Sequence, residues 1–210
     1  GLGGTKENSV YISDCIVDLN CLDAGTQCFP LYWYDNSDAD VIDLFNQGPG
    51  NKMDRYVRRE GVTDWILVTA RKQYGYNVAK EDIFYYVYGV LHSSEYRTTF
   101  AADLKKSLPR LPLVERADDF WAFSRAGREL ANLHLNYETI EPYRQCRVIY
   151  APLTTKGDSI NYRVEKMRFG KLDSKTTDKS VIYYNHAITI EGIPAEAYDY
   201  VVNGKSAIEW

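Results

Sequence analysis

The stretch at residues 81–114, EDIFYYVYGVLHSSEYRTTFAADLKKSLPRLPLV, constrains the fold of this chain more than any other. Ile83, Phe84, Val87, Val90 and Leu91 recur at helical spacing and form one apolar stripe. Glu81 and Asp82 sit in the first turn, where acids favour the helix dipole. His92-Ser93-Ser94-Glu95 reads as a break and restart, with Ser93 or Ser94 as the N-cap. The second helix should turn Tyr96, Phe100 and Leu104 inward, and Pro109 and Pro112 stop it. Periodicity alone asks for no more than two packed core helices.

The remaining pattern predicts an α+β fold. A helical segment over about 62–140 is expected to pack with a small, mainly antiparallel sheet built from N-terminal strands and a 147–190 meander. Residues 10–34 read as one or two strands broken near Asp23-Ala24-Gly25. A polar stretch follows, with a Gly48-Pro49-Gly50 breaker. Thr63 is the expected N-cap of a helix from Asp64 to about Tyr74, closed by Gly75. Asp118 or Asp119 opens another, with Phe120, Phe123, Gly127, Leu130, Ala131 and His134 on one stripe, and Pro142 ends the region. Tyr162, Val164 and Lys166 then alternate with Arg163, Glu165 and Met167, a strand period. Short strands over 181–184 and 187–190 and a short helix around 195–201 complete the reading.

At 210 residues and 45% hydrophobic, the chain can bury one sizeable core, so a single domain over 1–210 is expected. No apolar run approaches the roughly 18 residues of a membrane span, and no secretory signal opens the chain. Cys15, Cys21, Cys28 and Cys146 have neither CxxC pairing nor zinc-site histidines, so buried reduced thiols and a cytoplasmic setting are expected.

The net charge of −4 is low for a duplex-DNA binder, but it is unevenly spread. Residues 1–50 carry eight acids against Lys6, giving −7. Residues 144–179 carry nine bases against four acids, giving +5, and residues 97–110 carry four bases against Asp103, giving +3. If the basic stretches share a face, that face can track phosphates. A solvated surface with patchy charge is the plainer alternative.

Catalytic patterns are missing from the sequence. Gly1-Leu2-Gly3-Gly4 lacks the lysine and hydroxyl of a phosphate loop. No glycine pattern for S-adenosylmethionine and no Asn/Asp-Pro-Pro-aromatic tetrad is present. His92, His134 and His186 are scattered, and the first two read as structural. Asp118-Asp119 is explained by its helix start. Eighteen tyrosines are a high load, most of them expected in or beside the core. The polar loop GKLDSKTTDKS at residues 170–180 is the best candidate for entering a groove, through Lys171, Lys175, Lys179, Ser174, Thr176 and Thr177. An ordinary soluble hairpin is its other reading.

Five blocks in order resemble the C-terminal specificity region of type ISP restriction–modification enzymes. They are QCFPLYWY from Gln27, the 81–114 stretch, FWAFSRAGRELANLHLNYETIEPY from Phe120, YRVEKMRFG from Tyr162, and the closing IPAEAYDYVVNGKSAIEW. The family's sequence runs on beyond the position of Trp210, so the chain is expected to be a fragment of a larger multidomain polypeptide. The resemblance implies a target recognition domain that reads duplex DNA beside a neighbouring methyltransferase domain. It implies no cofactor in this fragment; ATP, magnesium and S-adenosylmethionine would serve the helicase-like translocase, nuclease and adenine methyltransferase of the parent. Lys105, Lys106, Arg110, Arg163, Lys166, Arg168 and Lys171 are the expected DNA contacts. A docking module without DNA reading and a stand-alone enzyme with a dispersed site remain the alternatives.

Overall fold

Three tyrosine hydroxyls explain why so many tyrosines surround the Leu-Pro-Arg-Leu-Pro exit. The computed structural model describes residues 9–18, 20–21, 26–36, 56–152, 159–202 and 205–209. The breaks expected near 23–25 and 48–50, the glycines at 1–4, and much of the acidic first third lie outside the described residues. The chain divides into two units, Gly1–Tyr137 and Glu138–Trp210, each considered by itself.

In the first unit, β1 (Tyr32–Asn36) pairs antiparallel with β2 (Tyr56–Glu60). Helices α1 (Asp64–Tyr74), α2 (Lys80–His92), α3 (Ser94–Thr99), α4 (Ala101–Leu104) and α5 (Ala117–Leu135) follow. Thr63 holds the N-cap position of α1 without a side-chain bond, whereas Ser93 caps α3 by accepting from the Tyr96 amide. Gly75 ends α1 at φ 112°, a conformation that favours glycine. Lys80 bridges Glu60 and Asp64, each at 2.6 Å, and so ties β2, α1 and α2 at one corner.

Phe120 stacks on Tyr74 with centroids 4.3 Å apart and on Tyr86 at 5.0 Å. Around it Ala70, Val78, Ile83, Val90 and Tyr96 close the core. The tyrosine hydroxyls then reach the extended strap at residues 108–114. Tyr96 donates to the Arg110 carbonyl (2.9 Å), Tyr86 to that of Pro112 (2.5 Å), and Tyr74 to that of Val114 (2.6 Å). The Tyr86 hydroxyl also accepts from the Val114 amide at 3.3 Å. These hydroxyls supply polar partners where prolines and irregular backbone rule out a ladder. Leu111, Leu113 and Val114 pack on the core from the same strap. Burial, with the neighbouring Tyr86 hydroxyl adding to it, pushes the Tyr74 phenol up to about 12.

Helices α2 and α5 cross at two glycines. A Cβ on Gly89 would meet the Phe123 carbonyl oxygen at 2.4 Å, and one on Gly127 would meet that of Tyr85 at 1.9 Å. Arg128 reinforces the crossing by reaching Asp82 at 3.0 Å and lying over the Tyr85 ring at 4.2 Å.

In the second unit, β3 (Arg147–Tyr150), β4 (Arg168–Lys171), β5 (Thr177–Tyr183) and β6 (Ile188–Glu191) form an antiparallel sheet in the order β3-β6-β5-β4. A short 3-10 turn at Ala195–Tyr198 and the pair β7 (Val201–Val202) and β8 (Lys205–Ser206) follow. The described chain is therefore α+β, as the pattern predicts.

Four local expectations need correction. Among residues 9–34 the described strand begins only at Tyr32. Residues 161–167 alternate in sequence but form no strand, because side chains take their carbonyls: Asn185 bonds those of Asn161 and Arg163, and Tyr184 bonds that of Tyr162. The second helix of the pair breaks at Phe100, leaving that ring 39% exposed instead of inward. Cys15, Cys21 and Cys28 are free but exposed, since they lie in irregular chain with little packed over it; Cys146 is half-buried.

Candidate functional site

The seven cations expected to meet DNA fall into two groups, one in each unit. Lys105 and Lys106 form the turn after α4, and Arg110 rides on the strap whose carbonyl is held by Tyr96. Arg163 and Lys166 lie in the side-chain-tied segment before β4, and Arg168 and Lys171 are the first and last residues of that strand. All seven are exposed. None of their side chains has an ion-pair partner among the described residues.

The acids of the second unit are mostly committed elsewhere. Glu191 pairs with Arg147 at 3.6 Å, and the Glu165 carboxylate lies 3.0 Å from His186 Nδ1. Asp178 accepts from the Ser180 amide and hydroxyl at 2.9 and 2.6 Å. Asp173 accepts from the Lys175 and Thr176 amides at 2.7 and 2.8 Å and from the Thr176 hydroxyl at 2.9 Å. Those bonds hold its carboxyl below the usual range. Arg163, Lys166, Arg168, Lys171 and Lys175 are left facing water along 163–175, a stretch with the field to attract phosphates.

Lys179 departs from expectation. Its ammonium meets Glu209 at 2.7 Å and lies 5.0 Å over the Tyr198 ring, while its carbonyl accepts from the Tyr198 hydroxyl at 2.6 Å. It therefore has an ion-pair partner, which Lys171 and Lys175 lack among the described residues. The sequence signal for this is weak, because Glu209 lies thirty residues further on. The Lys179 ammonium first, then the Ser206 amide and hydroxyl, hold the Glu209 carboxyl down to about 2. A depressed acid stabilises the fold fully above its ordinary value of 4.5 and loses that contribution as pH falls through about 2. The thermal-stability difference between the wild-type chain and Glu209→Gln should therefore be constant near neutrality and close toward zero by about pH 2. A difference that does not change with pH would rule out this linkage.

His92 and His134 form a half-buried cluster with Tyr88. The Tyr88 hydroxyl and His134 Nδ1 are 2.6 Å apart, and His92 Nδ1 lies 2.9 Å from the Tyr88 carbonyl. Burial lowers both imidazoles below their ordinary value, and His92 lowers that of His134 further. Among the described residues no three His, Cys, Asp or Glu side chains come together to hold a metal ion. No described helix is long and apolar enough to cross a membrane.

Within each unit taken by itself, exposed cations cluster along one segment, the turn and strap over 105–110 in the first and the stretch 163–175 in the second, and such clusters attract anionic groups. The chain belongs to the Type ISP C-terminal specificity domain family, whose model matches residues 1–210. It is 36% identical to the ATP-dependent Type ISP restriction–modification enzyme LlaBIII bound to DNA, over 98% of this chain and 12% of that one, with a TM-score of 0.74. A nuclease-deletion mutant of the Type ISP enzyme LlaGI, in complex with a DNA substrate mimic, is 46% identical over 64% of this chain and 10% of that one, at a TM-score of 0.51. The DrdV–DNA complex is 27% identical over 98% of this chain and 18% of that one, at 0.73. The chain thus spans between 10% and 18% of the lengths of these three. No curated protein matches it.

Proposed function

We propose that this chain is the sequence-specific DNA recognition domain of an ATP-dependent restriction–modification enzyme. It reads a duplex site beside a methyltransferase domain of the same cytoplasmic polypeptide. One observation carries the reading: the cations along 163–175 face solvent while neighbouring acids are engaged by turn hydrogen bonds, by Arg147 and by a contact with His186. Similarity to two Type ISP restriction–modification enzymes, one bound to DNA and one to a DNA substrate mimic, and to the DrdV–DNA complex supports it. Lys105, Lys106 and Arg110 make phosphate-type contacts in the first unit, and Arg163, Lys166, Arg168 and Lys171 in the second. ATP hydrolysis, cleavage and adenine methylation belong to other parts of the polypeptide, where ATP, magnesium and S-adenosylmethionine are bound.

The test is duplex binding by the full polypeptide, read by fluorescence anisotropy from 50 to 200 mM salt. With about six phosphate contacts, affinity should fall roughly a thousandfold over that range. Alanine at Arg163, Lys166 and Arg168 together should weaken all sequences alike and lower the salt slope by about 1 for each phosphate no longer neutralised. A base-reading arginine among them would instead cost about 1–3 kcal/mol at one position. Unchanged binding after alanine at all seven sites would end the proposal. Trp65 and Tyr76, 74% and 90% exposed, favour a second reading in which the first unit docks on a neighbouring module. That reading predicts weak DNA binding with little response to salt.

A further inference from the structure

The end of β4 and the start of β5 project beyond the sheet as a two-stranded ribbon. β6 pairs only with residues 181–183 of β5, whereas Gly170 faces Asp178 and Lys171 faces Thr177 further out. Between the rungs Phe169–Ile182 and Gly170–Asp178, three residues of β5 are left unmatched by β4. Such a bulge bends a ribbon away from its sheet. Here the bend is pinned. The Lys179 clamp on Glu209 and Tyr198 holds one side, and the Ile193 amide bonds the Ser180 carbonyl at 3.1 Å. Gly170 is buried at the bend, where a Cβ would lie 2.9 Å from that of Val181.

The tip is equally fixed. Leu172 donates its amide to the Thr176 carbonyl at 3.0 Å, and Asp173 collects the Lys175 and Thr176 amides and the Thr176 hydroxyl. Beyond the buried Gly170, residues 171–177 at the outer end of the ribbon are all exposed. Turn chemistry accounts for Asp173 and for the small polar residues. It does not account for Leu172, an apolar side chain 71% exposed at the end of a projection and flanked by Lys171 and Lys175.

We propose that this ribbon is the element that enters a DNA groove. Leu172 makes an apolar contact with a base edge, and Lys171 and Lys175 bind the phosphates on either side. Asp173 acts as a positioning residue that keeps the tip in shape before binding. The major groove, about 12 Å wide, admits a two-stranded ribbon, and thymine presents a methyl group there. The inference rests on the DNA-recognition reading above and adds to it the residue that senses sequence.

The experiment uses the full polypeptide and two probes: a duplex that the wild type selects from a random pool, and a scrambled duplex of equal length. Leu172→Ala should weaken binding to the selected duplex about tenfold, leaving the scrambled duplex and the salt slope unchanged; Leu172→Met should restore most of the loss. Asp173→Ala should act like Leu172→Ala. Lys171→Ala with Lys175→Ala should weaken both duplexes and lower the slope by about 2. Wild-type binding of both duplexes by Leu172→Ala, or equal loss on both, would overturn the ribbon assignment. If the wild type selects no sequence and the Arg163, Lys166 and Arg168 triple variant binds duplexes unchanged, the DNA-recognition reading itself is what fails.

Discussion

Phe120→Ala should lower the unfolding free energy of the chain by about 4 kcal/mol, the usual cost of deleting a fully buried aromatic ring. Phe120 is completely inaccessible, and its ring holds Tyr74 and Tyr86 in place by stacking on both. Those two tyrosines hold the strap at Pro112 and Val114, so the cavity would also loosen the polar tethers there. Urea unfolding followed by circular dichroism measures the change. A loss below about 1 kcal/mol would mean that the site collapses without harm and the aromatic stack is not the centre of the core.

Gly127→Ala is expected to destabilise by about 3 kcal/mol, in the upper part of the range for overpacking. The sign is the informative part. On helix propensity alone, alanine for glycine within α5 would stabilise by about 1 kcal/mol. The added Cβ would lie 1.9 Å from the Tyr85 carbonyl oxygen and 2.7 Å from the Gly89 nitrogen, both backbone atoms of α2. Neither can swing aside, so the helices must separate and the packing between them must open. A variant melting at or above the wild-type temperature would show that α2 and α5 are not this close.

Much of the helical half is legible in the chain because its signals are local. The stripe of Ile83, Val87 and Val90, the Ser93 cap and the Gly75 stop all act within one or two turns of backbone, and the helices form where they indicate. The alternation over 162–167 misleads for a related reason. Period two shows that the chain is extended, but not whether a neighbouring strand or the side chains of Tyr184 and Asn185 will satisfy its carbonyls. Of the candidate cations, residue type and clustering marked the exposed ones. They could not distinguish Lys179, clamped to Glu209, from Lys175, which stays in water.

The ordered motifs alone determined the family and the α+β class, because both are carried by residue identity and short-range spacing. Only the tertiary structure decided which backbone the tyrosine hydroxyls hold, how closely α2 and α5 approach, and that Leu172 stands at the end of a ribbon clear of its sheet. Each of these joins groups distant along the chain, or depends on where neighbouring strands stop, and local conformational preference carries no information about either.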